Sequence, residues 1–278
     1  MIEVEALAKR YGRTAALDGL TFSVPAGSVC GFLGPNGAGK TTTLRILLGL
    51  ARPDGGHARV AGSVNGVLDR DGFHPARSAL GELKLAAARA GVRVERAGAA
   101  LEAAGLEAVA DRRIGACSFG TRRRLAVAAA LLTEPDILLL DEPATGLDPH
   151  ALRALRARLR AHAASGGTVL LSSHVLEEVA GTCDRVVVVD HGRCVEAGRL
   201  EGLLAGRIRL RSPDAAALLA ALQDRGLRAA PDGPGTILVE GADPDAVGRA
   251  ARDAGAVLHE MSTQGALEEL YVGLTEAG

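Results

Sequence analysis

Gly34-Pro35-Asn36-Gly37-Ala38-Gly39-Lys40-Thr41-Thr42 fits the phosphate-cradling pattern G-x-x-x-x-G-K-[ST]. The apolar run Val29 to Leu33 before it has strand character, and Thr41 to Leu50 after it repeats apolar residues at helical spacing. The loop therefore stands in strand-loop-helix context, which predicts a nucleoside-triphosphate site at a helix N-terminus. Glycines let backbone N–H groups turn inward on an anion, where the helix dipole and the first-turn donors add positive potential. Lys40 is expected to reach the β- and γ-phosphates, and the Thr41 hydroxyl suits Mg²⁺, a hard cation that shares oxygen ligands with phosphates. The alternative is an ordinary glycine-rich turn. The chain has only three lysines, Lys9, Lys40 and Lys84, so chance is a poor account of one falling at this spacing.

Working outward, 278 residues with 47% hydrophobic content allow a large globular domain with a smaller one beside it. A formal net charge of -1 with mixed signs offers no basic stripe for nucleic acid or an anionic membrane surface. Arg122-Arg123-Arg124 is the densest basic run, and such runs are usually solvated faces. Cys30, Cys117, Cys183 and Cys194 form no C-x-x-C pair and suit reduced thiols in the cytoplasm. Met1 to Arg10 lacks a signal-peptide core, and the longest apolar runs fall short of the roughly 18 residues of a bilayer span. Any membrane role is thus expected to need a partner.

Ile2 to Leu7 and Leu20 to Val24 alternate like strands, and between them Tyr11 is either a stacking platform for an adenine ring or a packing residue with a wet hydroxyl. Arg52 to Gly56 reads as a turn and His57 to Ala61 as a short strand. Residues 63–116 read as helical, with periodicity over Leu80 to Ala90 and Ala99 to Ala110. Ser118 opens a helix running to about Leu132, where it is either a simple cap or part of an anion site.

Ile137-Leu138-Leu139-Leu140 feeds directly into Asp141-Glu142, as expected of a buried parallel strand whose C-terminal end faces a ligand crevice. Asp141 fits the role of holding Mg²⁺ through water, and Glu142 that of polarising the attacking water. Asp148-Pro149 caps the next helix, which is sufficient local explanation for both residues. Strand Thr168 to Leu171 leads through Ser172-Ser173 to His174, a helix from Val175 and the strand Arg185 to Val189. His174 is either a satisfied turn residue or a donor to a γ-phosphate oxygen.

The phosphate loop, Ser118-Phe119-Gly120, Leu138 to Glu142, Gly146 to Pro149 and His174 occur in the order of an ABC-type ATPase, and residues 2 to about 205 resemble the nucleotide-binding subunit of an ABC transporter. The resemblance implies an α/β P-loop NTPase core of ABC type over residues 1–205, with a helical subdomain at about 70–130. It implies ATP and Mg²⁺ as ligands, Tyr11 stacked on adenine, and Gly34 to Thr42 around the phosphates. It also implies catalytic roles for Lys40, Glu142 and His174, with His174 as the switch histidine. Ser118 and Gly120 would contact the γ-phosphate held by an opposite subunit, in a homodimer formed on ATP binding with Asp148 at its boundary.

Two departures stand out. The signature Leu-Ser-Gly-Gly-Gln appears as Cys117-Ser118-Phe119-Gly120-Thr121, and the glutamine expected before it is absent, since the chain's glutamines are Gln223 and Gln264; the resemblance puts Asp69 in its place. An acidic residue there is similar to antibiotic-export ATPases of the bacitracin-resistance type, and it puts Asp69 at the metal. The implied function is export of a drug, antibiotic or lipid-like substrate through a separate transmembrane permease, at the inner face of the membrane. The competing classes are a soluble ABC ATPase acting on nucleic acid or ribosomes, and an ATP-binding regulator. The single phosphate loop and the compact insertion without zinc spacing favour transport.

From residue 206 the pattern becomes strand 208–211, helix 214–225, strands near 227 and at 236–239, helix 244–254 and strand 257–261. That order is a ferredoxin-like βαββαβ, a small α+β domain over 206–278 with an expected accessory or regulatory role, closed by a helix at 266–274.

Overall fold

The computed structural model describes residues 1–68, 72–204, 207–264 and 271. The chain divides into two units, Met1–Ala197 and Gly198–Gly278. In the first, β1 (Ile2–Tyr11), β2 (Thr14–Val24), β3 (Val29–Leu33), α1 (Lys40–Leu47), β4 (Gly55–Val60) and β5 (Val64–Val67) precede α2 (Ala79–Arg89), α3 (Arg96–Ala103) and α4 (Phe119–Leu131). There follow β6 (Ile137–Leu140), α5 (Pro149–Ala164), β7 (Thr168–Ser173), α6 (Leu176–Ala180), β8 (Arg185–Asp190) and β9 (Arg193–Arg199).

Strands β5-β6-β7-β3-β8-β9 make a six-stranded sheet, parallel from β5 through β8. Every residue of β3, β6 and β7 is buried, so the apolar runs do not alternate, as expected where both sheet faces are covered. On one face Phe32, Ile137, Leu139, Leu170 and Val187 share a core with Leu44 and Leu47 of α1 and with the antiparallel sheet β2-β1-β4. On the other, α6 comes so close to β3 that a Cβ on Gly31 would lie 2.4 Å from Val179 Cγ1. The register sets Leu33 beside Ser173 and Leu140 beside Leu171. Gly34, Asp141 and His174 consequently leave the sheet at the same end.

The helices α2, α3 and α4 enclose their own core around Leu83, Leu101, Leu106, Leu125 and Leu132. Within the stretch expected to be helical, Val64–Val67 is instead β5, paired in parallel with Ile137–Leu140. Its valines suit a pleated, half-buried position, and the partner strand that recruits it is remote in sequence. The helix expected at 99–110 stops at Ala103. Gly105 takes φ 62° and the Leu106 amide donates back to the Leu101 carbonyl, after which 107–109 form a single tight turn. Strand β9 carries no apolar alternation, with most of its residues exposed, and only its pairing at the sheet edge reveals it.

In the second unit, α7 (Leu200–Leu204), β10 (Arg207–Arg211), α8 (Ala215–Asp224), β11 (Arg228–Pro231), β12 (Thr236–Glu240), α9 (Pro244–Asp253) and β13 (Glu260–Gln264) include an antiparallel sheet of order β11-β12-β10-β13. Ile208, Leu210, Ile237 and Val239 pack against Leu218 and Leu222 of α8 and Val247 and Ala250 of α9. The last strand falls three residues later than 257–261, because Ala254 to Ala256 close α9 with backbone bonds to Ala250, Arg252 and Ala251. The helix expected at 266–274 lies outside the described residues, apart from Tyr271.

Candidate functional site

The phosphate loop grows out of the buried end of β3, and its shape depends on two close approaches. A Cβ on Gly34 would lie 2.2 Å from the Val189 carbonyl oxygen, and one on Gly39 2.6 Å from that of Ala16. Gly39 also holds φ 102°, a conformation open to glycine, and it is the residue from which α1 starts. Gly37 takes φ 86°, while Pro35 and Ala38 close the turn through the Ala38 N–H to Pro35 carbonyl bond of 3.3 Å. Lys40 is 6% exposed, and its ammonium donates to the carbonyls of Gly34 at 2.7 Å and Pro35 at 2.9 Å. Burial holds its pKa below the ordinary lysine value, opposed by the nearby carboxylates of Glu142 and Asp141. Asn36, Gly37, Gly39, Lys40, Thr41 and Thr42 line a cavity of about 280 Å³ that Ala16 and Glu142 complete.

The two carboxylates after β6 face different partners. The Thr41 hydroxyl donates to Asp141 Oδ2 at 2.7 Å, and Asp141 itself is 4% exposed. Glu142 Oε1 lies 2.8 Å from His174 Nδ1, and its Oε2 accepts from the Thr145 hydroxyl at 3.3 Å. The Glu142 backbone takes φ 47°, a left-handed conformation that is uncommon for a residue with a side chain. A second cavity of about 220 Å³ adjoins the first through Thr41 and Glu142, with Phe119, Arg45 and Arg123 on its far side.

The ABC transporter family matches residues 17–145, and a domain of unknown function, DUF8746, matches residues 206–268. The Nod factor export ATP-binding protein I of Ralstonia nicotianae is 42% identical over 224 residues, 75% of this chain and 70% of that protein. The chain belongs to the ATP-binding subunits of ABC transporters. The daunorubicin/doxorubicin resistance ATP-binding protein DrrA of Streptomyces peucetius is 40% identical over 234 residues, 77% of this chain and 71% of its own. A solved ATP-binding cassette, a dimer in a post-hydrolysis state with ADP and Pi, shares the fold at a TM-score of 0.65 and 22% identity, over 72% of this chain and 99% of its own. The chain is accordingly an ABC ATPase whose ligand is ATP.

In this ATPase Ser118, Gly120, Asp148 and Tyr11, also singled out from the sequence, line neither cavity. Ser118 caps α4, its hydroxyl accepting the Thr121 amide at 3.2 Å, and Asp148 caps α5, accepting the Ala151 amide at 2.8 Å. That backbone bond holds the Asp148 carboxyl below its ordinary pKa. The two caps are neighbours, since a Cβ on Gly120 would lie 2.8 Å from the Gly146 carbonyl oxygen. Neither Ser118 nor Gly120 lines either cavity, although Phe119 between them does. Tyr11 is 48% exposed at the end of β1, with the Lys9 ammonium 5.6 Å from its ring centre, and it too is outside both linings. Asp69 lies outside the described residues; the preceding Leu68 carbonyl accepts from Arg123 Nη1 at 2.9 Å.

Several contributors escaped the sequence reading. Ala16 presents its backbone to Gly39, Thr145 reaches Glu142, and Ser172 reaches Asp141. Only for Ser172 was a signal at hand. Aligning the two apolar runs so that Leu140 meets Leu171 puts Asp141 next to it.

Proposed function

We propose that this ATPase powers export of a drug-, antibiotic- or lipid-like molecule through a separate permease, working at the cytoplasmic face of a membrane. The observation that carries its chemistry is the division of labour between adjacent carboxylates, Asp141 turned to the phosphate-loop hydroxyl and Glu142 turned to His174. Export is supported by the relatives, one named for Nod factor export and one for daunorubicin and doxorubicin resistance. No helix among the described residues is long and apolar enough to cross a membrane, and the path for the substrate is assigned to the permease.

Thr41 and Asp141 offer hard oxygen donors, which suit Mg²⁺. Among the described residues no group of three or more His, Cys, Asp or Glu side chains gathers as a cage, which agrees with an ion held jointly with nucleotide phosphates and water. Bound there, Mg²⁺ would neutralise charge on the β- and γ-phosphates. Lys40 exchanges its loop carbonyls for phosphate oxygens. Glu142 orients the water in line with the γ-phosphate, and His174 holds Glu142 in place. An ionised carboxylate only accepts, so the contact with Glu142 is made by a proton on His174 Nδ1.

Ser118 and Gly120, beside the phosphate-loop cavity's neighbour rather than in it, fit contact with ATP held by a second copy, with Asp148 at the boundary and Tyr11 against adenine. Asp69 takes the place of the usual glutamine near the metal, and the unit after residue 206 serves as a dimer-stabilising or regulatory appendage. The test is Mg²⁺-dependent ATP hydrolysis by the purified chain, alone and with the permease that co-purifies from membranes. A chain that hydrolyses ATP but drives no export from membrane vesicles carrying that permease would overturn the export reading.

A further inference from the structure

We infer that Ser172 is a positioning residue that locks the metal-side carboxylate Asp141 and the water-side residue Glu142 into one geometry. The inference rests on the roles proposed above for those two residues. Ser172 sits in β7 at 0% exposure, between β6 and β3. A hydroxyl buried in a parallel strand costs free energy unless it is bonded, and valine would suit the position better by strand propensity. The hydroxyl is bonded both as donor and as acceptor. It donates its proton to Asp141 Oδ1 at 2.5 Å and accepts the Glu142 backbone N–H at 2.9 Å.

The consequence lies in direction. With Oδ1 tied to Ser172 and Oδ2 to Thr41, the Asp141 carboxylate plane is fixed from both sides. The Glu142 amide bond to Ser172 anchors the residue whose backbone is held at φ 47°, and so sets where its side chain leaves the strand end. A methyl group at 172 would free Asp141 to rotate and leave the Glu142 amide without that acceptor. The neighbouring Ser173 does not substitute. Strand alternation turns it away, and its hydroxyl donates to Glu178 at 2.7 Å and accepts the Val175 amide at 3.0 Å.

Ser172→Ala and Ser172→Thr separate this role from simple packing. In the full chain with a non-hydrolysable ATP analogue, Mn²⁺ affinity read by electron paramagnetic resonance should fall about tenfold in Ser172→Ala, as for other groups that orient metal ligands. Its kcat should fall about 10- to 100-fold while KM for ATP and the melting temperature stay near the parent, and Ser172→Thr should recover most of both losses. Parent-like Mn²⁺ affinity and kcat in Ser172→Ala overturn the inference, as does equal loss in both variants with lowered melting temperature. Glu142→Gln runs alongside. If that variant turns over ATP like the parent, the site assignment itself fails and this inference with it; if it is inactive while Ser172→Ala is normal, only the role of Ser172 falls.

Discussion

The sheet that ends at the phosphate loop and the sheet of the second unit handle polar groups in opposite ways. Strand β6 is Ile-Leu-Leu-Leu, buried throughout, and its first polar residue is the Asp141 that follows it. Strand β10 is Arg-Ile-Arg-Leu-Arg. Its Ile208 and Leu210 face the core, while Arg209 and Arg211 stand in solvent and reach Asp232 at 3.1 Å and Glu260 at 3.9 Å. A sheet covered on both faces leaves its strand ends as the place for charge, and parallel register brings several such ends together. A sheet with one open face spreads charge along its strands, and nothing converges. The difference accounts for chemistry gathering at Gly34, Asp141 and His174 in the first unit.

The comparison can be broken most forcefully at Glu142. Glu142→Gln keeps the shape and removes the carboxylate proposed to orient water, so turnover should drop about 10²-fold or more with ATP affinity retained. Steady-state hydrolysis beside a nucleotide titration decides it, and parent-like turnover would falsify the assignment. Next in size is the buried strand itself. Leu139→Ala, at a position with 0% exposure, should cost about 2–5 kcal/mol of stability in denaturant unfolding. Its counterpart Arg209→Ala on the open face should stay within about 0.5 kcal/mol, and similar losses in the two would dissolve the contrast.

Lys40→Ala removes the point charge meant for the β- and γ-phosphates, and ATP affinity should weaken about tenfold or more. Equal affinity by titration rejects that role. Ser118→Arg, placed in a Glu142→Gln background, should abolish an ATP-induced dimer seen by light scattering while the monomer still binds ATP. A dimer that persists would locate the contact elsewhere. The smallest effect is expected from removing residues 206–278, since that unit has its own core and none of its described residues is among those lining either cavity. Turnover per site should remain within about twofold.

What could be read from the sequence was local. The phosphate loop announces itself because its glycines, lysine and threonine sit side by side, and the caps at Ser118 and Asp148 follow from a polar residue directly before a helix. The apolar run into Asp141-Glu142 is legible for the same reason. What escaped was non-local. Val64–Val67 becomes a strand because β6, some seventy residues on, is its partner, and Ala16 belongs to the site because β2 brings its carbonyl against Gly39. Ser172 carries no motif of its own, and its bonds to Asp141 and Glu142 can be anticipated only by aligning the apolar runs of β6 and β7.

Glu142 poses a last question, one of evolution. Its left-handed backbone is where glycine is at ease and where a glutamate is strained, by about 1 kcal/mol or more. Glycine at that position would relax the chain and, on the role proposed for Glu142, silence the enzyme at one stroke. On the role proposed for Glu142, the strain at this one codon sets turnover against durability.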